Sequence, residues 1–262
     1  DLRRALNKPD ASSAADNLGE ERLEFIRGEH SKEGALFRDR HGKRLGDIVN
    51  SAIAYSGAPS SAINAATYAE FRNNNVNRTP ALFVGANDGM LHAFNASTGD
   101  ELFDYIPSWL GPRLSALTSK AYLDSHQAYV DASPVVGEAQ VGSAGTSADW
   151  KTVLVGGTGS GGRGVYALDV TNPAAFSPSS VMWEFTPADD LDLGYVVGRP
   201  QILKFRTSAS GASPSYKWFA VVASGVNNYL PDSAGRFSST GTPALYLLDL
   251  AKQPGVAWSL GA

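Results

Sequence analysis

A glycine-rich stretch, residues 157–162 (GTGSGG), has the G-x-G-x-x-G spacing of a dinucleotide-binding loop. It follows an apolar run, and Glu184 lies about where an acid that binds a ribose would be expected. In such a site a helix begins directly after the glycines, so that its N-terminus faces the pyrophosphate. Here residues 163–170 are rich in β-branched and aromatic side chains and are predicted to form a strand. We therefore interpret the glycines as a hairpin between two strands.

Side chains that could ligate a metal or transfer a proton include four histidines: His30, His41, His92 and His126. No two of them have the His-x-x-x-His spacing of a zinc site. The chain has no cysteine, which excludes thiolate ligands, cysteine nucleophiles and disulfides. Ser51 and Ser133 lack the glycine pattern of a nucleophile elbow. We therefore predict neither a catalytic nor a metal-binding residue.

One candidate for an interaction is the tripeptide Arg27, Gly28 and Glu29, which differs from the Arg-Gly-Asp motif of integrin ligands only at its acid. The extra methylene of Glu29 disturbs a carboxylate contact that depends on geometry. We favour the alternative, in which Gly28 ends a helix and the two charges are solvated.

Trp109 is the stronger candidate for an interaction. It lies outside the repeated positions described below, in a segment with Pro107, Leu110 and Pro112. Tryptophan is both enriched at interfaces and common in cores. Trp109 is therefore predicted either to form an exposed partner-binding patch or to plug an edge of the fold, and the sequence leaves both alternatives open.

The elements that must position these residues form an internal repeat from residue 47 onward, with three units of four predicted strands. The predicted strands are 48–56, 80–87, 90–97 and 101–106, then 129–141, 151–157, 163–170 and 181–185, then 195–205, 217–225, 243–250 and 256–260. In each unit the second strand is apolar and ends in a glycine, as expected for a strand buried on both faces. The third strand ends in a residue that starts turns, at Asn95, Asp169 or Asp249.

Tandem four-stranded units of this kind predict an all-β fold, a β-propeller with about three blades over residues 47–262. The fourth strand of each unit supplies an aromatic residue, Phe103, Trp183 or Trp258, to lie between neighbouring sheets. A closed propeller typically has 4–8 blades, so three blades are expected to be part of a ring and to expose apolar sheet faces. Residues 1–46 are predicted to be a separate N-terminal segment of loops and one short helix over residues 17–28. That helix would begin with a capping box formed by Asn17 and Glu20.

Composition limits the classes of partner. The formal net charge is −4 and the pI is about 5.6, and there is no run of Lys or Arg. Both features disfavour nucleic acid as a ligand. No apolar run approaches the ~18–20 residues that a membrane-spanning helix needs.

The turn after the third strand of the first unit resembles the turn motif of quinoprotein-type propeller blades. Residues 93–103 (AFNASTGDELF) carry Asn95 where that motif has an acid and Phe103 where it has a tryptophan. Thr98 and Gly99 close the hairpin to the next strand. The resemblance implies a quinoprotein-like propeller. If the function followed this motif, the protein would be a quinoprotein-like dehydrogenase.

Longer stretches resemble the C-terminal domain of the PilC/PilY-type adhesins of type IV pilus tips. They are residues 22–51 (RLEFIRGEHSKEGALFRDRHGKRLGDIVNS), 82–107 (LFVGANDGMLHAFNASTGDELFDYIP), 150–173 (WKTVLVGGTGSGGRGVYALDVTNP) and 192–195 (DLGY). The resemblance covers about residues 22–205. It implies a non-enzymatic bacterial protein at the pilus tip, cell surface, outer membrane or periplasm.

In that family the expected roles are pilus assembly, opposition to retraction, twitching motility and adhesion to host or abiotic surfaces, with minor pilins or other tip proteins as partners. The alternatives are the dehydrogenase and a propeller-type scaffold for outer-membrane assembly. Some members of the family bind calcium through an Asp-rich loop. Asp189, Asp190 and Asp192 lack the ligand spacing and the turn glycine of such a loop. We expect no cofactor in this segment, with calcium a possibility only for the full-length domain.

Overall fold

The computed structural model describes residues 2–10 and 12–259, which contain three separate antiparallel sheets. The first sheet contains β1 (Ala54–Ser56), β2 (Ala81–Gly85), β3 (Leu91–Asn95) and β4 (Glu101–Tyr105). The second contains β5 (Val135–Gln140), β6 (Trp150–Gly157), β7 (Val165–Asp169) and β8 (Val181–Phe185). The third contains β9 (Gln201–Arg206), β10 (Tyr216–Ala223) and β11 (Leu245–Asp249).

Within each sheet the strands pair in sequence order. The first strands of the sheets are neighbours, because β5 contacts β1 on one side and β9 on the other. Three meandering sheets that meet at their first strands are successive blades of a β-propeller, which confirms the predicted fold class.

The first strand of each unit is shorter than predicted, and contacts between sheets explain the difference. Residues predicted to extend β1 are held to the second unit by side chains instead of by a backbone ladder. Asp131 accepts hydrogen bonds from the Asn50 backbone N–H (3.1 Å) and from its side-chain amide (2.7 Å). Ser133 accepts one from the N–H of Ala52 (2.9 Å). These polar bonds replace strand pairing where the segments before β1 and β5 lie side by side.

The predicted fourth strand of the third unit is not a strand over residues 256–259, and Leu260 lies outside the described residues. Trp258 nevertheless packs where the repeat places an aromatic. Its ring centroid lies 5.3 Å from that of Trp183 and 5.2 Å from that of Phe185, and its Nε1–H donates to the carbonyl of Glu184 (3.0 Å).

The repeated turn residues have matching surroundings. Asp169 Oδ1 accepts the N–H of Thr171 (3.0 Å), and Asp249 Oδ1 accepts the N–H of Ala251 (2.8 Å). Asn95 likewise accepts the N–H of Ser97 (2.9 Å). After Asn95, the Thr98 hydroxyl bonds to Asp100 and Gly99 adopts φ +83°, which closes the hairpin.

The aromatics of the fourth strands also occupy equivalent places. Phe103 pairs with Ala93 and Trp183 with Ala167, in both cases just before a β-bulge. Phe103 stacks on Phe176 of the second unit, with centroids 3.7 Å apart. Trp183 is 3% exposed in the core between the second and third sheets. Each aromatic therefore fills the space between one sheet and the next.

The described residues contain four α-helices: α1 (Leu2–Leu6), α2 (Gly19–Ile26), α3 (Ala66–Asn74) and α4 (Gly111–Leu114). The sequence predicted only α2, as residues 17–28. The expected capping box is wrong, because Asn17 has φ +62° and caps nothing. Instead the Asn7 side chain accepts the N–H of Gly19 (2.9 Å). None of the helices in the described ranges is long and apolar enough to cross a membrane.

The core lies between the sheets. One cluster joins the first and second sheets and reaches α1 and α2, and it includes Leu6, Phe25, Phe83, Leu91, Leu154 and Tyr166. A second joins the second and third sheets and includes Val153, Val155, Phe185, Val222 and Leu248. Since each large buried apolar side chain contributes roughly 1.5–3 kcal/mol, stacking of the sheets supplies most of the stability.

Candidate interaction site at the junction of the second and third sheets

The glycine-rich stretch connects β6 to β7 through a 3-10 turn at Gly159–Gly161. A strand follows the glycines, as predicted, and the helix that a dinucleotide site requires is absent at that position. The glycines serve close packing. A Cβ at Gly161 would collide with the backbone carbonyl of Tyr129, which crosses over the loop. The hairpin is therefore buried against the segment that leads into the second sheet.

Glu184, which the nucleotide interpretation would place on a ribose, holds the loop after β4. Its carboxylate accepts hydrogen bonds from the Tyr105 hydroxyl (2.6 Å), the Ser108 N–H (2.8 Å) and the Ser108 hydroxyl. These bonds fix a 3-10 turn at Ser108–Leu110 and so set the position of Trp109.

Trp109 lies across the glycine-rich hairpin and is half-buried. A Cβ at Gly164 would collide with its indole ring, so the ring packs directly on that backbone. Its Nε1–H donates to the Thr158 hydroxyl (3.3 Å), and the Tyr166 ring lies 6.3 Å away. Trp109 thus packs on the hairpin and also lines an open pocket.

Arg163, directly after the glycines, reaches from the second unit into the third. It is 4% exposed and donates to the carbonyl oxygens of Asn227 (2.6 Å) and Leu230. Its guanidinium carbon lies 5.1 Å from the centroid of the Tyr195 ring. Arg163 therefore holds the loop after β10 against the glycine-rich hairpin.

Two further arginines complete the cluster. Arg113, on α4, donates to the carbonyl of Gly161 and to the Gln127 side chain (2.9 Å). Arg236 Nε donates to the Asp232 carboxylate (2.9 Å). Burial acts to raise the pKa of Asp232, but hydrogen bonds from Arg236 and from nearby backbone outweigh it, and the pKa is lowered.

Together these residues enclose a pocket of about 220 Å³ between the loop after β4, the glycine-rich hairpin and the loop after β10. The loop after β10, which forms the third wall, also carries three exposed apolar side chains: Tyr229, Leu230 and Phe237. A pocket with aromatic walls and several guanidinium groups is suited to binding a polar or anionic group.

The tripeptide of Arg27, Gly28 and Glu29 lies elsewhere, at the end of α2. Gly28 has φ +102° and its N–H bonds to the carbonyl of Phe25 (3.0 Å), which is a helix C-cap. The Glu29 carboxylate accepts the N–H groups of His30 (2.9 Å) and Ser31 (2.8 Å), and these bonds lower its pKa. Arg27 pairs with Glu24 (3.3 Å). The structure therefore gives the tripeptide a role in ending the helix.

The four histidines do not come together. His92 is the one with a distinctive environment, since it is 4% exposed between Asp88 (3.0 Å) and Glu101 (2.6 Å). Burial acts to lower the pKa of His92, but its hydrogen bonds and charge interactions with the two acids outweigh burial and raise it to about 9. His92 is therefore an imidazolium in a buried ion-pair network.

The acidic residues near the start of the third unit do not fit a calcium site. Asp189 accepts the N–H of Thr186 (2.9 Å), Asp190 accepts the N–H of Asp192 (2.9 Å), and Asp192 accepts the Ser238 hydroxyl. Each carboxylate satisfies local backbone or a hydroxyl, and they do not converge. Across residues 2–10 and 12–259, no group of three or more His, Asp or Glu side chains is placed to hold a metal ion.

Sequence reasoning identified Trp109 but missed the arginines around it. Arg113 and Arg163 are 50 positions apart and meet only because the sheets stack. One signal was available, because Arg163 is the only charged residue between Thr152 and Leu168. An isolated cation in an apolar, glycine-rich stretch indicates a buried guanidinium with specific partners.

The fold defines a β-propeller domain whose loops surround a small pocket lined by arginine and aromatic side chains. The family model of the PilY1 β-propeller domain matches residues 45–257, and the chain belongs to this family.

The relatives are pilus proteins. The type IV pilus biogenesis factor PilY1 of Pseudomonas aeruginosa strain PAK is 37% identical over 260 residues, which are 95% of this chain and 20% of that protein. A PilY1 homolog of Xylella fastidiosa is 40% identical over 192 residues, covering 70% of this chain and 15% of the homolog. The chain thus spans about a fifth or less of the length of these curated relatives.

A solved structure agrees with the sequence comparison. The crystal structure of the Pseudomonas aeruginosa PilY1 C-terminal domain superposes with a TM-score of 0.55 and 29% identity. The match covers 78% of this chain and 38% of the solved domain. The relationship therefore extends from sequence to the arrangement of the sheets and supports a pilus-associated function.

Proposed function

We propose that this chain is part of a type IV pilus tip adhesin and biogenesis factor that supports pilus assembly, opposes retraction and contributes to surface attachment and twitching motility. It acts by binding and catalyses no reaction. Its partners are minor pilins or other tip proteins, together with a host or abiotic surface. It works outside the cytoplasm, at the pilus tip, the outer membrane or the periplasm.

The observation that carries this proposal is the 36–37% identity to type IV pilus biogenesis factors over more than nine-tenths of the chain. The pocket beside Trp109 supports a binding role, since the loop after β4, the glycine-rich hairpin and the loop after β10 form it on a framework of stacked sheets. Loops on a rigid scaffold are the usual place for recognition in β-propellers.

Purified minor pilins test the proposed partnership. The chain, immobilised through an N-terminal tag, is expected to retain one or more minor pilins saturably and to retain much less of the major pilin. Matched beads carrying an unrelated β-propeller serve as the control. Equal retention on both kinds of bead would contradict the proposal.

The competing function, a quinoprotein-like dehydrogenase, predicts binding of pyrroloquinoline quinone. The proposal expects titration with this cofactor and calcium to give no saturable signal. Saturable binding at a dissociation constant near 1 µM, about −8 kcal/mol, would instead favour the enzyme.

A further inference from the structure

The pocket beside Trp109 carries an excess of positive charge. Among the described residues, Arg236 is paired with Asp232, whereas neither Arg113 nor Arg163 forms an ion pair with a carboxylate. Two guanidinium charges therefore remain without a counter-charge in one small pocket. The whole chain carries a net charge of −4, so this local excess is opposite to the overall charge.

The unpaired charge of Arg163 is energetically unfavourable because the side chain is buried. It is 4% exposed, its hydrogen-bond acceptors are backbone carbonyls, and its Nε makes no hydrogen bond within the described chain. Removing a guanidinium from water without a compensating anion is unfavourable, because neutral carbonyls replace only part of the lost solvation. A bound anion beside Arg113 and Arg163 would offset that cost.

The surroundings indicate which anion fits. Trp109, Tyr195 and Pro231 give the pocket apolar walls, and its volume of about 220 Å³ suits a side chain rather than a polymer. Tyr229, Leu230 and Phe237, at 58%, 46% and 45% exposure, lie in the same loop after β10 that supplies Pro231 and Arg236 to the pocket. The negative net charge of the chain disfavours an extended polyanion.

We propose that this pocket binds the carboxylate of an acidic side chain in a peptide segment of a protein partner, with neighbouring apolar side chains of that segment lying on Tyr229, Leu230 and Phe237. A guanidinium group matches the planar geometry of a carboxylate, and such charge-assisted bonds are about twice as strong as neutral ones. The inference rests on the proposed function, because it assigns the chemistry by which the chain recognises a pilus-tip protein.

Fluorine NMR of the chain labelled with 5-fluorotryptophan tests the inference directly. Trp109→Phe identifies the Trp109 resonance. The probes are N-acetyl-Phe-Glu-Leu-amide, its Gln counterpart and inorganic phosphate. The Glu peptide is expected to shift the Trp109 resonance, and the shift should approach saturation at a peptide concentration of about 10 mM. A single side-chain anchor gives affinity in the millimolar range. The Gln peptide is expected to bind at least about tenfold more weakly, because it lacks the charge.

A substitution that leaves the arginines in place separates binding from folding. Ser233 lines the pocket, is exposed and makes no side-chain hydrogen bond in the described chain. Ser233→Glu places a competing carboxylate in the pocket. It should lower the affinity of the chain for the Glu peptide at least about tenfold. Ser239→Glu makes the same change in the same loop outside the pocket and should leave binding unchanged.

Three results would overturn the inference: no shift of the Trp109 resonance, equal shifts with the Glu and Gln peptides, or an equal loss of affinity for the Glu peptide in the two serine variants. A stronger response to phosphate than to the Glu peptide would also overturn it, since the pocket would then be a phosphate site. None of these results would affect retention of minor pilins by the whole chain, which tests the proposed function separately.

Discussion

The buried His92 should make the stability of the fold depend on pH. The pKa of His92 is raised from 6.5 to about 9 because Asp88 and Glu101 together outweigh the effect of burial. A raised folded-state pKa stabilises the fold fully below the unfolded pKa, and the contribution is lost as pH rises through the folded pKa. The network should therefore stabilise the chain at pH 6 and cease to do so above about pH 9.

We predict that His92→Gln narrows the difference in stability between pH 6 and pH 9.5 by on the order of 1–3 kcal/mol. The measurement is urea unfolding of both proteins at a series of pH values. His41→Gln is the matched control, because the His41 side chain is 85% exposed. Parallel pH profiles for wild type and His92→Gln would show that the ion pairs contribute nothing.

At the scale of the element, each fourth-strand aromatic joins one sheet to the next. Trp183 is 3% exposed and packs against Trp258. We predict that Trp183→Ala lowers the free energy of unfolding by roughly 3–5 kcal/mol, as large aromatic truncations in cores do. Tyr216→Ala, at a side chain 52% exposed, should cost less than about 1 kcal/mol in the same denaturation experiment. A loss below about 1 kcal/mol for Trp183→Ala would contradict the packing described here.

The glycine-rich hairpin gives a second prediction for an element. Because a strand follows the glycines and Tyr129 covers them, the hairpin should bind no dinucleotide and no nucleoside triphosphate. Isothermal titration of the chain with NAD and with ATP should show only heats of dilution. Saturable heat with either nucleotide would contradict this prediction.

The second to fourth strands of the units were largely predictable, because their signals are local. Apolar runs that end in Gly85, Gly156 or Gly225 and turns at Asn95 and Asp169 fixed most of these strands to within a few residues. The predicted fourth strand of the third unit is the exception, because its described residues, 256–259, do not form a strand.

The first strands were less predictable, since they begin only after residues whose side chains bridge two sheets. Asp131 and Asn50, which form one such bridge, are 81 positions apart. The pocket depends in the same way on residues that are distant in sequence, so the local signals of Trp109 and Arg163 could not show that the two side chains line one pocket.

At the scale of the whole molecule, the outer face of the third sheet has no partner within the described residues. It exposes four large apolar side chains: Leu203, Phe205, Leu245 and Leu247, at 42%, 37%, 65% and 46%. Exposed apolar patches of this kind usually mark an interface. We propose that in a longer chain a further sheet covers this face, as in the stacked sheets of a closed propeller.

The isolated chain should therefore associate through this face. We predict concentration-dependent association in light scattering, and we expect Leu245→Lys combined with Leu247→Lys to reduce it, because lysine opposes apolar contact. Lysine at Val76, which is 58% exposed and lies outside the third sheet, is the matched control. A compact monomer at all concentrations would show that this face needs no cover.

The central claim is that this chain serves a type IV pilus as the matching part of PilY1 does. The most direct measurement replaces that part of PilY1 in Pseudomonas aeruginosa with this chain and compares surface pili with those of a strain that lacks PilY1. The account predicts that the replacement restores surface pili and twitching, and that a replacement carrying Gly161→Val, which forces a collision with Tyr129, does not. A replacement protein exported at the normal level that restores no pili would contradict the account.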